Sequence, residues 1–386
     1  MIVAATTPAD VRKAVLTARE RSLRFAVYAT GHGGPPPEDD DVVVLETTGM
    51  GGVLVDPDRR VARVGPGAVW GDVVAAAAPF GLAPLSGTSP EVGVVGYTLG
   101  GGMAWLSRRY GFAADSVVRA DIVTADGDPR TVSADHDPDL FWAIRGGGAN
   151  FGAVTGLEFR LYPVTTVHAG AAWFPIERAA DVLAYYRDHL ADLPDELAAN
   201  IVITKEALGI RGMYAGPAED ARRALAPLWR VAGTPTEDGW RTMPYTESGT
   251  IGTTTPSQYN LLRDLPDPMI EAAVDAVHGD AAAVEVRPWG GAIARPNGDA
   301  GPISHRDVPF TVAVDGPPES AAGIAAHATG FSFLNALADP SRVHTAFTAA
   351  DHARLRELKR TYDPENMFGL AKNIPPAPPA TARLRA

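Results

Sequence analysis

Glycine is concentrated in three short stretches of this chain, residues 31–34, 87–102 and 146–152. A residue without Cβ tolerates positive φ and lets the backbone approach a partner closely, while its N–H groups can line a nest for an anion. A pyrophosphate would suit such loops. Tight turns in a strand-rich fold would suit them equally, and the glycines alone leave both readings open. None of the stretches fits G-x-G-x-x-G between a strand and a helix, which argues against a Rossmann dinucleotide site. No Walker-type phosphate loop is present.

The rest of the chain is punctuated accordingly. Thr7 and Pro8 form a helix-start signal ahead of residues 9–21. Short β-branched runs follow at 25–28, 42–45, 52–55 and 61–64, with further strands expected at 117–124, 130–133 and 154–161. From about residue 164 the texture changes to helical patterns over 176–193 and 218–231, between strands at 201–204, 210–214, 284–289 and 310–314. A last helix is expected at 349–361. At 386 residues the chain exceeds what one core usually supports. The expectation is an α+β protein of two domains, with a flexible Pro-rich tail.

Charge and composition narrow the function. The net charge of −12 and the absence of Lys/Arg clusters argue against nucleic acid or an anionic membrane as a partner. With no cysteine, disulfides, catalytic thiols and thiolate metal sites are excluded, and no metal site is expected. The apolar segment at 73–85 is broken by Pro79, Gly81 and Pro84, so no membrane span is expected there. The N-terminus lacks the basic start and long apolar run of a secretory signal, so a cytoplasmic location is expected.

Four motifs in order carry more information: YATGH (28–32), GTSPEVGVVGYTLGGG (87–102), DLFWAIRGGGANFG (139–152) and YDPENMFGLAKNIPP (362–376). Together they resemble the flavoproteins of the vanillyl-alcohol oxidase and berberine bridge enzyme type, with WGGAIAR and SHRDVPF adding weaker likeness. The resemblance implies a bipartite FAD-binding domain (residues 1–164 and 346–376) around a substrate domain (165–345) with an antiparallel sheet, and a tail from 377. It implies FAD contacts from Ala29, Thr30, Gly31, His32 and Gly33. Further contacts would come from Gly87, Thr88, Ser89, Gly93, Val94, Gly96, Tyr97, Gly100 and Gly101, and later from Gly152, Val154 and Asn373. His32 falls at the position that bonds covalently to the flavin 8α-methyl, a role suited to a neutral imidazole near neutral pH. The activity implied is oxidation of an alcohol, sugar or specialised metabolite by hydride transfer to flavin N5, with dioxygen as electron acceptor.

The departures from the family pattern are equally specific. Tyr28 stands where arginine is common, and Ala29 and Thr30 replace the usual Ser or Gly pair. Ser89 stands where many relatives carry a second, cysteinyl link to the flavin; its hydroxyl is too weak a nucleophile for that bond. Phe333, Leu334 and Asn335 replace a Y-x-N segment, so the catalytic tyrosine of relatives is absent. By residue type, Tyr97, Glu285 and His305 are then the candidate bases, while Trp289 and Phe333 are expected to shape the pocket. The chain also starts later than relatives do, which implies a shorter variant or a downstream start. A cyclisation or rearrangement without net oxidation, and a flavin-poor binding or scaffold protein, both fit the same departures.

Overall fold

The computed structural model describes residues 1–379 except 253, 255, 297, 299 and 371. Three sheets organise it. The first is a small parallel sheet in the order Ile2–Ala4, Val42–Glu46, Arg24–Tyr28. Its crossover is the helix Pro8–Glu20, which starts as the sequence signals. The Thr7 hydroxyl accepts from the Asp10 N–H at 3.3 Å, and the Asp10 carboxylate accepts from the Thr7 N–H at 2.9 Å. Val11, Ala14, Val15 and Ala18 fall on one helical face and are buried beside Phe25, Val43 and Leu45.

The second sheet is antiparallel, in the order Val53–Asp56, Val61–Val64, Ala153–Arg160, Val117–Val123, Pro129–Val132. The hairpin at 124–128 turns on Gly127 at φ 81°, with the Asp126 carboxylate accepting from the Asp128 N–H at 3.0 Å. The C-terminal part of the chain returns to these two sheets. Leu355 of the helix Ala349–Tyr362 enters the core of the second, and Met367 and Phe368 enter the core of the first. The Phe25 N–H donates to the Met367 carbonyl at 2.8 Å.

The third sheet has eight antiparallel strands, drawn from residues 166–315. Its centre runs Thr166–Pro175, Ala207–Tyr214, Leu197–Thr204, Ala283–Pro288, Phe310–Asp315. One face is apolar: Ala199, Ile201, Ile210, Val284 and Val286 pack under the helices Ala179–His189, Ala218–Ala232 and Asp267–His278. Because side chains alternate along a strand, the residues between them point the other way, where Ala198 and Met213 pack on Leu85, Trp105 and Leu106.

Several elements were not visible beforehand. The strand Thr166–Pro175 (TVHAGAAWFP) is buried on both faces for most of its length and so lacks period-2 contrast. The strand Gln258–Leu262 and the helix Asp267–His278 lie in the stretch of weakest likeness. The helix expected over 176–193 is regular only over Ala179–His189, flanked by single 3₁₀ turns. Of the tail expected from 377, Ala377 is packed and its N–H donates to the Arg356 carbonyl at 2.9 Å; residues 380–386 lie outside the described residues. No helix among the described residues is long and apolar enough to cross a membrane.

Candidate active site

The loop after Arg24–Tyr28 is shaped by Gly31, at φ 76°, over which the Tyr28 side chain folds back; a Cβ there would collide with the Tyr28 hydroxyl. Tyr28 therefore replaces an arginine with a group that packs on its own loop. Gly33 is open, with nothing within 4 Å of where its Cβ would be. His32 is exposed and has no hydrogen-bond partner among the described residues, so its imidazole is available to a ligand. Ala29 lies at the base of this loop, and the Thr30 hydroxyl accepts from the Gly93 N–H at 3.3 Å. That bond ties the His32 loop to the loop holding Ser89.

Gly93 precedes the short helix Val94–Leu99, and no side chain caps it. Val94 is buried and bonded to the Ala68 carbonyl, whereas Gly96 is exposed with open space beside its Cα. The glycine triplet that follows faces protein. A Cβ at Gly100 would lie 2.7 Å from Asn335 Nδ2, and one at Gly101 2.8 Å from the Phe333 ring. Asn335 locks the contact, its Oδ1 accepting from the Gly102 N–H at 2.8 Å and its Nδ2 donating to the Tyr97 carbonyl at 3.0 Å.

Residues 146–152 serve mainly as a packing hub. Gly152 abuts the Val123 carbonyl and Val154 is 4% exposed within the second sheet's core. Asn150 joins this motif to the closing one 224 residues away: its Oδ1 accepts from the Ile374 N–H at 2.8 Å and its Nδ2 donates to the Lys372 carbonyl at 3.0 Å. The neighbouring Asn373 Oδ1 is buried without a partner. Lys372 was not anticipated. Its ammonium donates to the Leu334 and Asn335 carbonyls, and burial pushes it down to about 8.

Between these loops and the polar face of the third sheet lies a cavity that is partly open to solvent. Thr88, Met103 and Trp105 line it from the loops; Asn200, Arg211, Glu285 and Arg287 line it from the sheet. Gly87, one residue before Thr88, packs on the Tyr97 ring. Asn200 and Arg211 are direct cross-strand partners, and Glu285 and Arg287 lie two apart on the next strand, so all four share a face. One polar residue inside an apolar strand was the available signal for Asn200 and for Arg211, and the alternation of Glu285 and Arg287 with valines was the signal for Arg287.

The structure does not bring the three candidate bases together, and none is a free base. The Tyr97 hydroxyl is buried without a partner, and burial raises it well above the usual phenol range, so it stays protonated. Burial alone would raise Glu285, but Arg287 and then Arg211 outweigh it and hold the carboxyl at about 2. Its oxygens accept from Asn200 Nδ2 at 2.6 Å, Arg287 Nη2 at 2.7 Å, Arg211 Nη2 at 2.8 Å and the Thr254 hydroxyl. No lone pair is left for a proton from substrate. His305, at φ 60°, stacks on Phe331 at 3.8 Å and bonds the Thr345 carbonyl through Nε2, outside both the cavity and the glycine loops.

Trp289 and Phe333 stand behind the cavity rather than in its wall. Both pack on Phe112, and the Trp289 carbonyl accepts from Arg108.

Residues 1–133 match the family model for an FAD binding domain, and residues 328–375 match that for berberine and berberine-like proteins. The chain is an FAD-linked oxidoreductase that carries an FAD binding domain and a berberine-like C-terminal segment. Over 97% of its length it is 29% identical to (R)-6-hydroxynicotine oxidase of Paenarthrobacter nicotinovorans, covering 91% of that protein. The crystal structure of 6-hydroxy-D-nicotine oxidase from Arthrobacter nicotinovorans superposes with a TM-score of 0.86 at 28% identity, over 97% of this chain and 92% of that one. Xylooligosaccharide oxidase from Myceliophthora thermophila, at 22% identity and a TM-score of 0.85 over 98% and 92%, shares the two-domain α+β fold.

The residues present fit FAD. The FAD-linked oxidoreductase offers an unpartnered imidazole at His32, an uncapped helix start after Gly93 and open backbone at Gly33 and Gly96. Two buried, unpartnered polar atoms, Tyr97 Oη and Asn373 Oδ1, are available to the same group.

Proposed function

We propose that this protein is an oxidase whose FAD is attached through His32 and whose substrate is a small molecule drawn into the cavity under the third sheet. The observation that carries this reading is the position of that cavity, walled by Thr88 and residues 103–108 on one side and by a polar sheet face on the other. Bound FAD supplies a hydride acceptor that molecular oxygen reoxidises, releasing hydrogen peroxide.

The chain's own groups position the reaction. His32 would hold the cofactor, with Ser89 leaving it as the one covalent anchor. The Thr30–Gly93 bond keeps the two loops together, and Asn335 holds the glycine triplet rigid. Tyr97, as a neutral phenol, serves as a hydrogen-bond donor rather than a base. Met103 and Trp105 exclude water from the cavity wall.

Absorbance of the purified protein in the flavin bands, together with peroxide release across a panel of alcohols, sugars, amines and hydroxy acids, tests this. A colourless protein overturns the cofactor and the activity together. A yellow protein that transforms a substrate without peroxide supports the non-oxidative alternative.

A further inference from the structure

The charges around the cavity do not balance. Among its lining residues are three guanidiniums, Arg108, Arg211 and Arg287, and one carboxylate, Glu285. Glu285 is already saturated by Asn200, Thr254, Arg211 and Arg287. Among the described residues Arg108 makes no ion pair: it is 4% exposed, donates to the Trp289 and Leu193 carbonyls, and feels the Asp195 carboxylate only from beyond contact distance. An excess of buried positive charge is unfavourable unless an anion joins it.

The hydrogen-bonding inventory points the same way. Three buried polar atoms of the lining residues lack any partner: Arg108 Nε, Arg287 Nε and Trp105 Nε1. All three are donors. The buried unpartnered acceptors elsewhere in the chain, such as Asn373 Oδ1, do not line this cavity. A neutral polyol brings as many donors as acceptors and would leave its hydroxyl protons facing a saturated carboxylate. A carboxylate brings acceptors alone, and its planar pair of oxygens matches a guanidinium edge.

We propose that the cavity takes a small organic acid, its carboxylate held by Arg108, Arg287 and Trp105, and that such acids are the substrate class of this enzyme. Only the word substrate rests on the oxidase reading; the binding of the acid does not. Arg211 serves as the counter-charge that keeps Glu285 occupied and turned from the ligand.

Calorimetric titration of the holoenzyme with acetate and benzoate, against acetamide and benzamide, tests the proposal without turnover. The acids are expected to bind at least ~100-fold more tightly than the amides, since an amide puts an N–H against donors. Arg287→Gln should lower that preference by about tenfold or more. Glu285→Gln, which removes the one opposing charge, should raise acid affinity, and it decides the matter should Arg287→Gln fail to fold. Equal binding of acids and amides, or no binding of either, overturns the proposal. Acid binding by a protein that releases no peroxide leaves it standing and sinks the oxidase reading instead.

Discussion

Lys359, in the last turn of the final helix, and Asp363, at its C-cap, form an ion pair of 2.6 Å in which neither side chain is exposed. The lysine also donates to the Asn150 carbonyl at 2.7 Å and the Phe368 carbonyl at 3.2 Å, while the aspartate accepts from the Met367 and Phe368 N–H groups, each at 2.8 Å. The pair thus knots the YDPENMF segment to the glycine-rich loop at 146–152. Removing one partner leaves a buried charge without compensation, so Asp363→Ala should cost about 3–5 kcal/mol in urea unfolding.

Asn335 makes a second such tie, between the C-terminal segment and the glycine triplet. Asn335→Ala strands the buried Gly102 N–H and is expected to destabilise the fold by about 1–3 kcal/mol. Thermal unfolding reads the loss. An unchanged melting temperature would show that the triplet holds its shape without Asn335.

His32→Ala should release the flavin into the supernatant on acid precipitation, where the parent protein keeps it in the pellet. Colour retained in the variant's pellet would refute attachment at His32. Because the Thr30–Gly93 bond brings the two loops together, Ser89→Cys in the His32→Ala background is expected to return part of the flavin to the pellet through a cysteinyl link.

Glu285 gives the fold a defined acid sensitivity. Its carboxyl lies at about 2, below the ordinary 4.5. A depressed carboxylate contributes stability that is fully present above the unfolded value and is lost as pH falls through the folded one. The unfolding free energy should therefore decline from about pH 5 toward pH 2 by a few kcal/mol, and Glu285→Gln should flatten that part of the profile. Parallel profiles for the two proteins would remove Glu285 from the account.

Much of this molecule is written locally. The capping residues Thr7 and Pro8, the run Val61–Val64 and the turn around Gly127 announce their own conformations, because caps, β-branched runs and positive φ act over a few residues. Ordered motifs were enough to place the chain among FAD-linked oxidoreductases. The roles of Glu285, Tyr97 and His305 were not legible, since residue type says nothing about partners. Glu285 is held by arginines 74 residues before it and two residues after it, Tyr97 is sealed under glycine loops, and His305 stacks on Phe331.

The sequence by itself determined the local elements, the glycine-dependent turns, the absence of a thiol at position 89 and the availability of an imidazole at position 32. Only the tertiary structure decided that Asn200, Arg211, Glu285 and Arg287 share one face above the glycine-rich loops, and that their charges and donors are left in excess there. The physical reason is that strand pairing is a long-range choice. Burial of the opposite, apolar face under three helices fixes the register, and one residue of slip would turn every one of these polar groups away from the cavity.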